Sequence, residues 1–342
     1  MKHLRIFLFA ALACLLLFSC ISCSAADQST AVSADPEASA ESTQSAAAVS
    51  EEPSAEAAAS SESGSAPSFP VEITDFLGYT STVEAADRIV SLMPSGTQIL
   101  LALGVEEEIV GLDAYSEPYL PGTEVVGDYM GPDVEKIVSL EPDLIVAANS
   151  IQQDAIDQLR AAGIPVLAAE PTTWEQVPEG FAMIGEAVQR TDAADELASQ
   201  LQDAVEAVQK DAPAEAVSCY YVLSYGDAGN WTSGEGSFIN AMMEHAGGTP
   251  ITQGTASPWL EYPMEDLTVA DPDCIILGSG AGTIEDFVQT AGYRDLSAVK
   301  SGHVYEIDSD LVTIPGPELQ EGLKEISYII NTAAVSEEQE AA

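Results

Sequence analysis

Short uninterrupted apolar runs alternate with stretches of helical periodicity through most of this chain, a pattern that predicts an α/β protein. Residues 71–83 alternate apolar and polar positions around Leu77-Gly78, which predicts an opening hairpin. Arg88-Ile-Val-Ser-Leu92 reads as a buried strand, Pro94-Ser95-Gly96-Thr97 as a turn and cap, and 98–103 as a helix closed by Gly104. Strands are expected at 109–111, 125–127, 144–147 and 166–168, with helices over 134–139 and 154–162 between them. From Thr191 or Asp192, either of which suits a cap, one helix runs to Lys210, with Ala193, Leu197, Leu201, Val205 and Val208 recurring along one face. Beyond it the alternation restarts, with strands at 217–224, 274–277 and 304–307 and helices over 237–245, 284–290 and 317–330.

The stretches before and after the long helix repeat one phrase. Glu135-Lys-Ile-Val-Ser-Leu-Glu-Pro-Asp-Leu-Ile-Val146 is matched by Glu265-Asp-Leu-Thr-Val-Ala-Asp-Pro-Asp-Cys-Ile-Ile276, with Glu and Pro-Asp equally spaced and an apolar run closing each copy. Two similar halves follow: Rossmann-like α/β lobes with mostly parallel sheets, joined by one long helix, with a ligand cleft between them. Residues 70–190 form the N-terminal lobe, 191–212 the connecting helix and 213–332 the C-terminal lobe; an acidic, disordered tail is expected over 333–342. Ligands in open α/β sheets bind beyond the carboxyl ends of the strands.

The first 69 residues follow neither pattern. Lys2 and Arg5 precede an apolar run over 6–18, too short to span a bilayer and suited to an export signal over 1–19. Leu16-Leu17-Phe18-Ser19-Cys20 resembles a bacterial lipobox, which makes Cys20 the expected lipidation site. Cys23 is a weaker alternative, and ordinary cleavage near Ala25 is another. Residues 20–69 are dominated by Ala, Ser and Glu and predict a disordered tether. A flexible coil of that length spans roughly 35 to 40 Å, enough to hold a domain off a membrane.

Charge narrows the function. Of ten basic residues two lie in the leader, leaving eight against 56 acidic ones, a net of −48. That excludes nucleic acid as a partner and a flat arrangement on anionic lipid. His245 and His303 are the only histidines beyond the leader, so no histidine cluster for a transition metal is expected. Cys219 and Cys274 fall in apolar runs and are read as two buried thiols, with a disulfide as the alternative. Carboxylates abound, but no acid/base pair, nucleophile motif or histidine stands out at a site, so no enzyme is expected. Aromatics collect instead after strands: Tyr115 and Tyr119 after Gly111, Tyr129 after Gly127, Tyr225 and Trp231 after the 217–224 run, and Trp259 in a loop before Glu265. Such a set suits a flat or bulky ligand.

Arg88-Ile-Val-Ser-Leu-Met-Pro-Ser95, Gly127-Asp-Tyr-Met-Gly-Pro-Asp-Val-Glu-Lys-Ile-Val138, Pro142-Asp143 and the 308–322 stretch together resemble the cobalamin and ferric-siderophore class of ABC-transporter solute-binding proteins. The resemblance implies a monomer that holds a small molecule between two lobes and delivers it to an ABC permease with its ATPase, and that stays on the outer face of the membrane through the lipid anchor. It places Ser95, Tyr115, Tyr129, Tyr225, Trp231 and Trp259 against the ligand, and implies that Glu135 and Glu265 dock on permease arginines. Where the family's last loop often carries arginines, this chain has Ile314-Pro-Gly-Pro-Glu318, which leaves a carboxylate-rich ligand without a bidentate partner. A neutral corrinoid is therefore expected as the carried ligand, with no intrinsic cofactor. A ferric siderophore or haem is the alternative cargo, and a ligand-sensing surface lipoprotein without a transporter the alternative role.

Overall fold

The structure, a computed structural model, describes residues 69–340, with side chains through Val335. The signal over 1–19, Cys20 and nearly all of the expected tether lie outside the described residues. The described residues all belong to one compact unit. Among the described residues no helix is long and apolar enough to cross a membrane.

The opening hairpin pairs β1 (Val71–Thr74) with β2 (Thr80–Val83), in register from Val71 opposite Val83 to Thr74 opposite Thr80. Its turn is organised by Asp75, whose Oδ1 accepts from the backbone N–H of Leu77 and of Tyr79, each at 3.0 Å. Oδ2 accepts from Ala168 N at 3.0 Å and pairs with Arg160, which also lies over the Tyr79 ring at 4.0 Å. One buried carboxylate thus ties the hairpin to the first sheet.

That sheet contains β3 (Ile89–Ser91), β4 (Ile109–Leu112), β7 (Leu144–Ala147) and β8 (Val166–Ala168), all parallel in the order β4-β3-β7-β8. Every residue of β3, β7 and β8 is buried, which explains their uninterrupted apolar sequences. Between them run α1 (Pro94–Ala102), the ribbon of β5 (Gly127–Asp128) and β6 (Gly131–Pro132), α2 (Val134–Ser139) and α3 (Gln153–Ala161). The expected turn at 94–97 is the first turn of α1: Pro94 occupies a position where a missing N–H costs nothing, and Met93 is the residue before the helix.

Two helices follow, α4 (Gln176–Ala187) and α5 (Thr191–Lys210). The first was not anticipated, because Pro178, Gly180 and Gly185 punctuate it. Pro178 falls in the first turn, whose N–H groups have no partner within the helix. Gly185 is where α4 crosses α5, and a Cβ there would stand 2.4 Å from Ala194 Cβ. Neither Thr191 nor Asp192 caps α5; the residue before it is Arg190, which makes no side-chain cap. The helix buries Ala194, Leu201, Ala204, Val205 and Val208.

The second half repeats the plan. β9 (Val217–Val222), β11 (Gly248–Pro250), β13 (Cys274–Gly278) and β14 (Val304–Ile307) form a parallel sheet in the order β11-β9-β13-β14. A short antiparallel ribbon joins β10 (Trp231–Ser233) to β12 (Trp259–Glu261) and sets Trp259 opposite Ser233. Trp259 therefore sits in a strand and not in the expected loop. The helices are α6 (Phe238–His245), capped by Ser237, α7 (Met264–Ala270), α8 (Ile284–Gln289), α9 (Ser297–Ser301), α10 (Asp310–Thr313) and α11 (Leu319–Glu340). Helix α11 runs past Ile330 into the stretch expected as a tail, since Ala333 is still buried against the core.

The repeated phrase has a physical meaning. After α2 and after α7 the chain turns through a left-handed residue, Glu141 (φ 50°) and Asp271 (φ 41°), and Pro142 or Pro272 then prevents the helix from resuming. The next aspartate reaches the start of the neighbouring strand: Asp143 accepts from Arg88 N at 3.0 Å and Asp87 N at 3.1 Å, and Asp273 from Ser218 N at 2.8 Å. Helix stop, strand latch and buried strand are encoded twice by the same residues.

The halves are joined by more than one helix. A single apolar cluster runs from Ile73 and Val83 through Ile99, Phe181, Leu201 and Val205 to Ile239, Leu319 and Ile326, with smaller clusters on the outer faces of the two sheets. Cys219 and Cys274 face each other across β9 and β13 as buried free thiols. The contact with Cys219, with burial adding to it, pushes the Cys274 thiol well above its usual range.

Candidate ligand cleft

Four strand exits meet at the carboxyl edge of the first sheet: Leu92 after β3, Asp113 after β4, Ala148 after β7 and Glu170 after β8. Gln152 knits three elements there. Its Oε1 accepts from Ala148 N at 2.9 Å, and its Nε2 donates to Leu92 O at 2.8 Å and to Tyr129 O at 2.7 Å. The β5-β6 ribbon is thereby fixed over the sheet edge, where Tyr129 Oη donates to Glu170 Oε2 at 2.6 Å. Asp113 is held by a second network: Oδ2 accepts from Tyr115 N at 2.9 Å, Oδ1 from Ser116 Oγ, and Ser116 Oγ lies 2.9 Å from Thr97 Oγ1.

Burial raises both carboxyls. Asp113 is pushed above the usual carboxylate range by desolvation, against the bonds from Ser116 and Tyr115. Glu170 is pushed up to about 7, first by desolvation, with the Tyr129 bond opposing and the charge of Asp113 adding to the rise. Tyr129 is raised by its own burial and by Glu170.

The two halves approach on either side of this floor. On one side Gln98 Nε2 of α1 donates to Glu318 Oε2 at 3.0 Å, just before α11. Tyr119, pushed up to about 12 by burial and by the charge of Asp310, borders the same carboxylates. Burial also raises Asp310 and Glu318, with Asp308 adding to both. On the other side Thr173, Trp174 and Glu175 face Glu235, Ser237, Asn240 and Glu244 across a groove of about 380 Å³. Trp174 packs on His245 at 5.2 Å between ring centres, and burial lowers the His245 pKa.

The expected contact residues separate. Tyr129 and Trp259 are both part-buried against the core that the halves share. Tyr115 lies beside Asp113 and is 42% exposed. Tyr225 turns the other way, edge-on to Phe287 at 5.1 Å and Tyr293 at 5.8 Å, within the outer cluster of the second half. Trp231 pairs with Glu261 in the β10-β12 ribbon and packs on Gly229. Ser95 is buried in the first turn of α1 with its hydroxyl oxygen unpartnered. Asp113, Gln152, Glu170 and Trp174 were missed. The signal for Asp113 and Glu170 was present, since each is the first charged residue after a buried strand.

Glu135 and Glu265 are exposed and occupy the first turns of α2 and α7, equivalent positions in the two halves. An exposed valine follows on each helix, Val138 and Val269, the latter 86% exposed. None of the described lysines and arginines directly follows a sheet strand. Arg88 bonds Leu140 O, Arg160 pairs with Asp75, and Lys136 pairs with Glu124. No group of three or more metal-ligating side chains gathers among the described residues.

Two parallel α/β sheets packed on one core, with strand exits turned to a cleft that both halves border, define a two-lobed solute-binding protein. The chain belongs to the Periplasmic binding protein family, whose model matches residues 89–311. It is 34% identical over 278 residues to an uncharacterized ABC transporter substrate-binding lipoprotein of Bacillus subtilis, covering 77% of this chain and 86% of that one. It is 27% identical over 292 residues to a cobalamin-binding protein of Halobacterium salinarum, covering 80% and 78%. Among solved structures it resembles a periplasmic heme-binding protein from Roseiflexus in apo form, with a TM-score of 0.66 at 22% identity over 73% of this chain and 100% of that one, a likeness of fold. The protein is an ABC transporter substrate-binding protein and not an enzyme; its partners are a permease and a small-molecule ligand.

Proposed function

We propose that this protein carries a cobalamin-like corrinoid to its ABC importer, tethered to the outer face of the membrane by a lipid on Cys20. The observation that carries the reading is the charge of the cleft. Asp113 and Glu170 come after strands of the first sheet, Asp310 and Glu318 lie by Tyr119 where the halves meet, and none of the described lysines and arginines directly follows a sheet strand. Haem and many ferric siderophores present carboxylates or other anionic groups, which need bidentate cationic partners. A corrin rim presents neutral amides, which such a cleft can satisfy with carboxylate and tyrosine oxygens. Tyr129 and Trp259 supply flat apolar surface for the ring. The cobalamin-binding relative from Halobacterium supports the same choice.

Glu135 and Glu265 are proposed as the docking pair for permease arginines, supported by their equivalent exposed positions and by the exposed valine beyond each. Titrating the protein with cyanocobalamin, dicyanocobinamide, haem and a ferric siderophore, followed by tryptophan fluorescence or calorimetry, tests the cargo. Micromolar or tighter binding of the corrinoids is expected, and binding of siderophore alone overturns the choice. Trp259→Ala is expected to weaken corrinoid binding by about 5- to 150-fold, in line with the roughly 1–3 kcal/mol of one stacked aromatic surface.

A further inference from the structure

Glu170 is a carboxylate with one oxygen held in place and the other open. It lies two residues past β8, next to Ala169, whose N–H donates to Ala147 O at 3.0 Å and ties the chain there to the first sheet. Gln152 fixes the Tyr129 backbone, and Tyr129 Oη fixes one carboxylate oxygen, Oε2. Among the described residues nothing donates to the other oxygen, and no cation offsets the charge. The titratable groups that act on it are Tyr129 from the β5-β6 ribbon and Asp113 from the β4 exit. A part-buried carboxylate with one oxygen oriented and one unused is a hydrogen-bond acceptor with a fixed direction.

Building on the corrinoid reading above, we propose that Glu170, oriented by Tyr129, determines specificity by accepting a hydrogen bond from an N–H donor on the ligand rim, such as a primary amide, and by rejecting a carboxylate placed there. The favoured state is the ionised one. Because its carboxyl titrates near neutrality in the free protein, donor binding draws the proton off, and affinity for an amide-bearing ligand rises with pH until Glu170 is ionised. A site pKa of about 7 that falls well below 6 on binding gives about a tenfold gain in affinity between pH 6 and pH 8.

The test is the dissociation constant of cyanocobalamin, which does not titrate in this range, measured from pH 5.5 to 8.5 for wild type, Glu170→Gln and Tyr129→Phe. Wild type should tighten about tenfold from pH 6 to pH 8. Glu170→Gln should show no such slope, and Tyr129→Phe should move the midpoint upward, because the bond that favours the ionised form is gone. Glu170→Gln should also narrow the preference for cyanocobalamin over a cobyrinic acid, whose rim carries carboxylates in place of amides. A flat wild-type profile, or the same slope in Glu170→Gln, overturns the proposal while leaving corrinoid binding intact. Haem binding in place of corrinoid overturns the corrinoid reading. In that event Glu170→Gln should tighten haem by relieving repulsion of its propionates, and unchanged haem affinity would remove the role of Glu170 as well.

Discussion

Replacing Gly185 by alanine tests how α4 and α5 are held together. The added Cβ would stand 2.4 Å from Ala194 Cβ and 3.2 Å from Arg190 O, where ordinary contact begins near 3.4 Å. The helices must part by about 1 Å, or both must rotate, in a region that packs Phe181 and Ile184 into the shared core. Overpacking of this kind costs about 1–3 kcal/mol. Alanine recovers about 1 kcal/mol of helix propensity, so a net loss of up to about 2 kcal/mol is expected. At about 2–4 °C per kcal/mol for a domain of this size, the midpoint should fall by up to about 8 °C. Urea and thermal unfolding of Gly185→Ala, Ala194→Gly and the double variant would measure it. In the double variant the clash is gone, so its loss should be smaller than the sum of the two single losses by at least about 1 kcal/mol. A cycle with no coupling would refute the crossing as described.

Glu170→Gln should also change the pH dependence of stability without any ligand. The folded carboxyl titrates at about 7 against an ordinary 4.5, so the folded state holds the proton longer and wild-type stability falls as pH rises from about 4.5 to 7. Glu170→Gln should lack this fall and gain up to roughly 3 kcal/mol over wild type at pH 8 relative to pH 4.5, read from unfolding midpoints. Asp75→Ala strands Arg160 and three backbone amides, so a loss of about 3–5 kcal/mol is expected in urea unfolding. Reversing Glu135 and Glu265 to lysine together should abolish transporter-dependent uptake in cells and leave the affinity of the purified protein for its ligand unchanged; normal uptake would count against the docking pair.

Much of the sheet structure was legible because parallel strands buried on both faces are written as continuous apolar runs, as at Leu144–Ala147 and Cys274–Gly278. The twofold plan was legible because Glu, Pro and Asp recur at one spacing, although their latching of Arg88 and Ser218 appears only in three dimensions. Helix α4 was hidden because proline and glycine signal loops, whereas here one lies in a tolerant first turn and another makes room for a neighbouring helix. The β10-β12 ribbon is three residues long on each side, too short for its alternation to show. Tyr225 follows a strand as Tyr129 does, but which side of a sheet a loop residue turns to depends on distant partners, here Phe287 and Tyr293. Glu170 was concealed by its own abundance, one carboxylate among 56 acidic residues.

The facing thiols of Cys219 and Cys274 lend the molecule an internal clock. Both are buried in the central strands of the second sheet, and the raised Cys274 pKa keeps that thiol protonated and unreactive. A thiol reagent reaches them only when β9 and β13 part. In a protein with Cys23 replaced, the rate of modification therefore counts openings of that sheet, and its slowing when a ligand is added reads occupancy of the cleft without a label on the ligand.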